Sequence, residues 1–137
     1  MVTTEIILSD KKNVIVSCIY KAPSSKYDDF NRELETLLNK FKFSKKEVLI
    51  CGDFNIDLLK YNEHKGTQEF LHIMFNKGLH PIISKPSRIT RFSSTLIDNI
   101  FTNNIDDTLY SGLLISDVSD HLPIFSVCGN TFNTEKT

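Results

Sequence analysis

Tryptophan is missing from this 137-residue chain, and only 5 glycines and 4 prolines punctuate it. So sparse a supply of Gly and Pro excludes collagen-like and low-complexity segments, whose compositions demand far more of both. The 3 cysteines, Cys18, Cys51 and Cys128, are odd in number and far apart, and no CxxC pair occurs. That argues against a disulfide framework and a zinc site. Each lies in an apolar run, so buried free thiols in a reducing compartment are expected. No apolar run approaches the roughly 18 residues of a membrane span, and the N-terminus lacks a basic segment followed by an apolar stretch. The chain therefore reads as soluble and intracellular, nuclear or cytoplasmic, with no membrane partner. Charge of one sign is not in excess either: 16 Lys and Arg stand against 17 Asp and Glu, a net charge of -1. No global basic field points to a nucleic acid, so any polyanion would have to be bound locally.

What is present is 40% hydrophobic and 24% charged residues, including 10 Phe, the composition of one globular domain. A chain this long can bury roughly two thirds of its unfolded surface. The domain is expected over residues 1–128, with a polar, frayed tail at 129–137.

Strand-like runs alternate with two helical patterns, an α/β chain. "TEIILSD" and "NVIVSCIY" read as a hairpin around Asp10, Lys11 and Lys12. "SSKYDDFNRELETLLNKF" reads as an amphipathic helix with Ser24 as N-cap, Asp28 and Asp29 in its first turn, and Tyr27, Phe30, Leu34, Leu37, Leu38 and Phe41 as its apolar stripe. A short strand, Val48 to Cys51, then breaks at Gly52. Thr67 is expected to cap a second helix, "QEFLHIMFNKG", which Gly78 stops. Three more strands are expected, in "STLIDNIFT", "YSGLLIS" and "LPIFSVC".

The polar residues on this scaffold carry the functional signal. Tyr20 ends one strand, Asp53 and Asn55 end another, Asp98 interrupts a third, and Asp120 with His121 precedes a fourth. Strand ends are where loops build ligand sites, so four polar insertions into apolar strands point to one cleft. Asp98, flanked by Leu96, Ile97 and Ile100, is costly to bury unless paired, and a protonated histidine is its natural partner.

"CGDFN", "TLIDNIF" and "SDHLPIF", in that order and after "VIVSCIYKAPS", resemble the C-terminal part of the endonuclease/exonuclease/phosphatase superfamily. The linking text is most similar to the endonuclease of non-LTR retrotransposons. The resemblance runs from about Ile6 to Val127, and it implies part of a two-sheet β-sandwich flanked by helices, with the N-terminal half missing. It implies phosphodiester hydrolysis with a divalent metal, Mg²⁺ or alternatively Mn²⁺. On these motifs Asp53 would orient or deprotonate the attacking water, and Asn55 would hold a phosphate oxygen. Asp120 would serve the metal, and His121 the scissile phosphate. Asp98 would hydrogen-bond His121 and keep it protonated, and Tyr20 would donate its hydroxyl to the phosphate.

The family's upstream half carries an Asn and a metal-binding Glu, and the sequence begins after it. Glu5 is the one acid near the start, but it lies on the strand before Tyr20, not where the family's Glu lies. Losing that carboxylate should weaken metal binding severely. Arg88 and Arg91 flank the loop leading to Asp98, where they could contact a nucleic-acid backbone. His64, His72 and His80 read as surface residues, Lys42, Lys45 and Lys46 as charges completing the end of the first helix, and Asp57 and Asp117 as turn or capping residues. The function implied is DNA nicking by an endonuclease of retrotransposon origin. Its substrate would be the DNA backbone, and its companion an upstream half-domain or fused reverse transcriptase in a longer polypeptide. An inactive remnant or weak nucleic-acid-binding module, and a phosphatase or other phosphodiesterase of the superfamily, are the alternatives.

Overall fold

The computed structural model describes residues 2–7, 13–42, 46–105 and 109–128. The expected loop at Asp10–Lys12 and the expected tail at 129–137 lie outside the described residues. Strands β1 (Val2–Ile7) and β2 (Asn13–Tyr20) pair antiparallel, as a hairpin requires, with Val2 opposite Cys18 and Ile7 opposite Asn13.

Helix α1 (Tyr27–Leu38) starts after Lys26, and no side chain caps it. The expected cap, Ser24, stays outside. The reason lies in the chain just before it, where Ser25 N–H donates to Ala22 O at 3.0 Å and closes a turn. The Lys21 ammonium locks that turn by donating to Ala22 O at 3.2 Å and Ser25 O at 2.9 Å. Strand β3 (Glu47–Asp53) then runs parallel to β2, from Val14 opposite Glu47 to Tyr20 opposite Asp53. A single 3-10 turn at Leu58–Lys60 follows, with Asp57 as its cap.

Helix α2 (Lys65–Asn76) is capped by His64, whose Nδ1 accepts the Thr67 N–H at 3.2 Å. Thr67, the expected cap, is instead buried within the first turn. The expected strand "STLIDNIFT" is broken in two. Between β6 (Ser94–Thr95) and β7 (Asp98–Thr102), the backbone of Leu96 and Ile97 turns to other partners. Leu96 N–H donates to the Asp57 carboxylate at 3.0 Å, and Ile97 O accepts from Phe54 N–H at 2.9 Å. Two short strands escaped the sequence pattern, β4 (His80–Pro81) and β5 (Arg88–Ile89), because two residues show no periodicity.

The main sheet has the order β1-β2-β3-β7-β4, β5 pairs with β6, and β8 (Leu109–Leu113) pairs with β9 (Ile124–Cys128). Alternation along the strands sends Ile15, Ile19, Val48, Ile50 and Phe101 to one face, where Leu34 and Leu38 of α1 and Phe70 and Met74 of α2 close the core. Phe54, Phe70 and Phe101 pack as a trio with ring centroids 5.2 to 5.6 Å apart, the spacing at which aromatic pairs add to area burial.

The other face is only partly covered. Ile124, Phe125 and Ser126 of β9 border a groove of about 370 Å³ whose floor is Val16, Leu49, Cys51, Gly52 and Ile100. This face also corrects the expectation of burial for Cys18 and Cys51, while the Cys128 side chain lies outside the described residues. Cys18 is exposed and Cys51 half-buried, since both fall on the alternate positions that point away from the helices.

Candidate functional site

The parallel strands β2 and β3 end side by side, and β7 begins beside them. Tyr20 stands opposite Asp53, and Asp53 opposite Asp98, so the three form a row across one edge of the sheet. The carboxyl ends of parallel strands are where open α/β sheets place their ligand sites. His121 reaches the row from a separate segment, held there by β5. Arg88 and His121 form an antiparallel bridge, Leu122 N–H donates to Ser87 O at 2.7 Å, and Ile89 N–H to Asp120 O at 2.8 Å.

His121 Nδ1 and Asp98 Oδ2 are 2.9 Å apart, with side-chain exposures of 35% and 15%. The sequence-based pairing of these two residues is thus met in space. Ser87 is fully buried and fixes the acid. Its hydroxyl donates to Asp98 Oδ2 at 2.8 Å and accepts the N–H groups of Ile97 at 3.1 Å and Asp98 at 2.8 Å. A lone serine in a loop carries no motif, so sequence reasoning missed it; its place between two site-bearing strands is a tertiary fact.

Asp53 and Asn55 form a compact turn. Asn55 has φ 46°, a left-handed conformation that Asn tolerates better than most residues. Its N–H donates to Asp53 Oδ1 at 3.0 Å, and its Nδ2 donates to Lys21 O at 2.8 Å. Burial pushes the Asp53 carboxyl above the ordinary carboxylate range, and the neighbouring Asp98 adds to the rise; the Asn55 N–H, His121 and Arg88 only offset it. Lys21 lies buried beneath, its ammonium 4.9 Å from the Tyr27 ring centroid, and burial lowers its pKa.

Asp53, Asp98 and His121 offer ligand atoms that all lie within 4.8 Å of one another. Asp120 stands beside this group rather than in it. It is exposed, and its Oδ2 accepts from Arg88 Nε at 2.7 Å, a bond that holds its carboxyl below the ordinary range. That pairing spans 32 residues and was not legible in the sequence. Tyr20 is 66% exposed at the end of the row. Arg91 is exposed in the β5–β6 turn, away from these contacts. Glu5 sits opposite Ile15, toward the other end of β2, and is bound by Lys46 at 2.8 Å and Asn13 at 2.9 Å. A groove of about 430 Å³ between α1 and α2 contains none of the site residues.

Among solved structures, the endonuclease domain of TRAS1, a telomere-specific non-LTR retrotransposon, superposes with a TM-score of 0.69 at 17% identity, covering 92% of this chain and 60% of its own. An endonuclease/exonuclease/phosphatase family protein from Leptotrichia buccalis C-1013-b gives 0.63 at 19% identity, covering 89% and 51%. A beta toxin mutant from Staphylococcus aureus, solved with bound magnesium ions, gives 0.62 at 19% identity, covering 90% and 56%. The chain thus spans between 51% and 60% of the length of these structures. No curated protein sequence matches it. The family model described as endonuclease-reverse transcriptase matches residues 14–125. The ordered "CGDFN", "TLIDNIF" and "SDHLPIF" blocks fall inside that match and supply the row of Asp53, Asp98 and His121, and the chain belongs to this endonuclease-reverse transcriptase family, with the endonuclease/exonuclease/phosphatase fold.

Proposed function

We propose that this chain carries the catalytic edge of a metal-dependent phosphodiesterase, a DNA-nicking endonuclease of retrotransposon origin. The observation that carries the reading is the Asp98–His121 contact at 2.9 Å beside Asp53. Hydrolysis of a phosphodiester needs an acceptor for the water's proton and donors for the charge that grows on phosphorus-bound oxygen. Asp53 is suited to the first task, since its raised pKa makes it a better base than an ordinary aspartate. His121, held at Nδ1 by Asp98, faces the phosphate as donor, with the Tyr20 hydroxyl and the Asn55 amide completing the shell. Arg88, and more distantly Arg91, meet the nucleic-acid backbone.

The donor set fits a hard cation. Mg²⁺ keeps several waters and takes one or two carboxylates; Asp120 would provide one, while Asp98 is committed to His121 and Asp53 to the water. Mn²⁺ suits the same oxygens. When bound, such an ion polarises a phosphoryl oxygen.

The test is nicking of supercoiled DNA with Mg²⁺ by a longer polypeptide that contains this chain. Activity that falls by about two to four orders of magnitude on His121→Ala supports the reading, on the scale expected for a positioned charge donor. A longer polypeptide that folds and nicks no better than its His121→Ala version would overturn it. The second reading, a nucleic-acid-binding remnant without catalysis, is favoured by one observation: Arg88 already occupies the Asp120 carboxylate. Retained DNA affinity with no cleavage under any divalent metal would select it.

A further inference from the structure

We propose that Cys18 and Cys51 are a modification site, a dithiol that closes to a reversible disulfide across β2 and β3. The two residues stand opposite each other in the parallel ladder, on the same open face of the sheet. Neighbouring strands lie about 4.8 Å apart, inside the Cα separation of roughly 4.4 to 6.8 Å that a disulfide spans. The strands also approach closely beside this pair. Gly52, the next residue on β3, approaches β2 so closely that a Cβ there would lie 1.7 Å from Ile19 O, so no side chain props the strands apart. The Cys51 Sγ donates to Ser17 O at 3.4 Å, the backbone of the residue just before Cys18, so its side chain already leans toward β2. The groove over Cys51 leaves room for a small oxidant.

The two sulfurs divide the chemistry. Cys18 is exposed and meets the oxidant first, whereas burial raises the Cys51 thiol and keeps it protonated until it is needed as the resolving partner. With hydrogen peroxide, the Cys18 thiolate attacks one peroxide oxygen, the O–O bond breaks, and Cys18 becomes a sulfenic acid as hydroxide leaves. Cys51 sulfur then attacks Cys18 sulfur, the S–O bond breaks, and that oxygen departs as water with the thiol's proton. Two electrons pass from the sulfurs to the peroxide, and the net products are one disulfide and two waters. An exposed cross-strand bond is of the labile kind that thiols reduce readily. The next pair outward on the same face is Tyr20 and Asp53, two positions along the ladder, so the cross-link would set the strand separation just beneath the site.

The experiment is peroxide treatment of the intact chain under native conditions, followed by non-reducing tryptic mapping. The peptide covering residues 13–21 should appear joined to that covering 47–60, within one chain, and dithiothreitol should release both. Cys18→Ser, an exposed change that leaves the core untouched, should abolish the joined species while Cys51 remains reactive after denaturation. In the Cys51→Ser chain, Cys18 should run on to sulfinic acid for want of its partner. The proposal is overturned if the joined peptides include Cys128, if the link forms only between chains, or if Cys18 reaches sulfinic acid in the unmutated chain while Cys51 stays a free thiol.

Discussion

The Ser87 hydroxyl is satisfied three times over by groups that belong to Asp98 and its neighbour Ile97, and it has no contact with water. Ser87→Ala would leave two buried N–H groups without an acceptor and let the Asp98 carboxylate turn. The expected cost is about 1–3 kcal/mol of stability, the range for buried donors left unpaired. Urea denaturation measures it, and a variant as stable as the parent would show that Ser87 holds nothing in place. Asp53 should behave in the opposite sense. Its folded pKa lies above the unfolded value of 3.8, so the fold favours its neutral form. Stability from that preference is present at low pH and is lost as pH rises from 3.8 through the raised folded value. Asp53→Asn should therefore unfold at higher urea than the parent near neutral pH, with the difference closing in acid. A constant gap across pH would mean that the carboxylate is not penalised. Both residues show what sequence could disclose. Asp98 was legible because an acid among Leu96, Ile97 and Ile100 is costly without a partner, and Asp53 and His121 because each stands at the end of an apolar strand within a recognisable motif. Ser87 and the Arg88–Asp120 bond were not, since a loop serine and a surface ion pair carry no such cost.

At the scale of elements, hydrophobic period located both helices and the longer strands, whereas their ends were decided by contacts that no local pattern encodes. Helix α1 begins late because a buried lysine holds the preceding turn, and α2 is capped by an imidazole rather than by the threonine three residues on. The break in "TLIDNIF" is likewise tertiary, set by Asp57 and Phe54 drawing on the backbone of Leu96 and Ile97. Where β2 and β3 meet, Gly52 is required for space rather than for an unusual φ. Its missing Cβ would fall 1.7 Å from one backbone oxygen, and backbone in the middle of a ladder cannot step aside as a flexible side chain could. Gly52→Ala should thus cost about 3 kcal/mol, the upper end for overpacking, and should disturb Tyr20 and Asp53 at the end of the same ladder. The measurement is the unfolding midpoint together with the NMR shifts of the Tyr20 and Asp53 amides. A midpoint unchanged within error would show that the strands can part without penalty.

For the whole molecule, the two faces of the main sheet tell different stories. One is sealed by α1 and α2 with Leu38, Phe70, Met74 and Phe101 at 0% exposure. The other carries Tyr20 at 66% and lies under a ribbon whose Phe125 and Val127 are themselves 37% and 54% exposed. Exposed apolar surface of this kind marks a place where something packs. The solved structures of this fold are longer than the chain, which spans 51% to 60% of them. Strands β2, β3 and β9 border the half-open face, but what packs on it is not written in those strands. We expect the chain by itself to bind a hydrophobic dye and to nick supercoiled DNA weakly or not at all with Mg²⁺, because the Asp120 carboxylate that would meet the ion is already engaged by Arg88. Joining the upstream part of a solved endonuclease of this fold ahead of Met1 should suppress the dye signal and raise nicking together, since one packing event covers the face and completes the cleft. Suppressed dye binding without nicking would separate the two, leaving the face as an interface and the catalytic reading of Asp53, Asp98 and His121 without support. Strong nicking by the unjoined chain, unchanged on Glu5→Gln, would instead show that the row at the sheet edge is a complete site as it stands, with Glu5 left to Lys46.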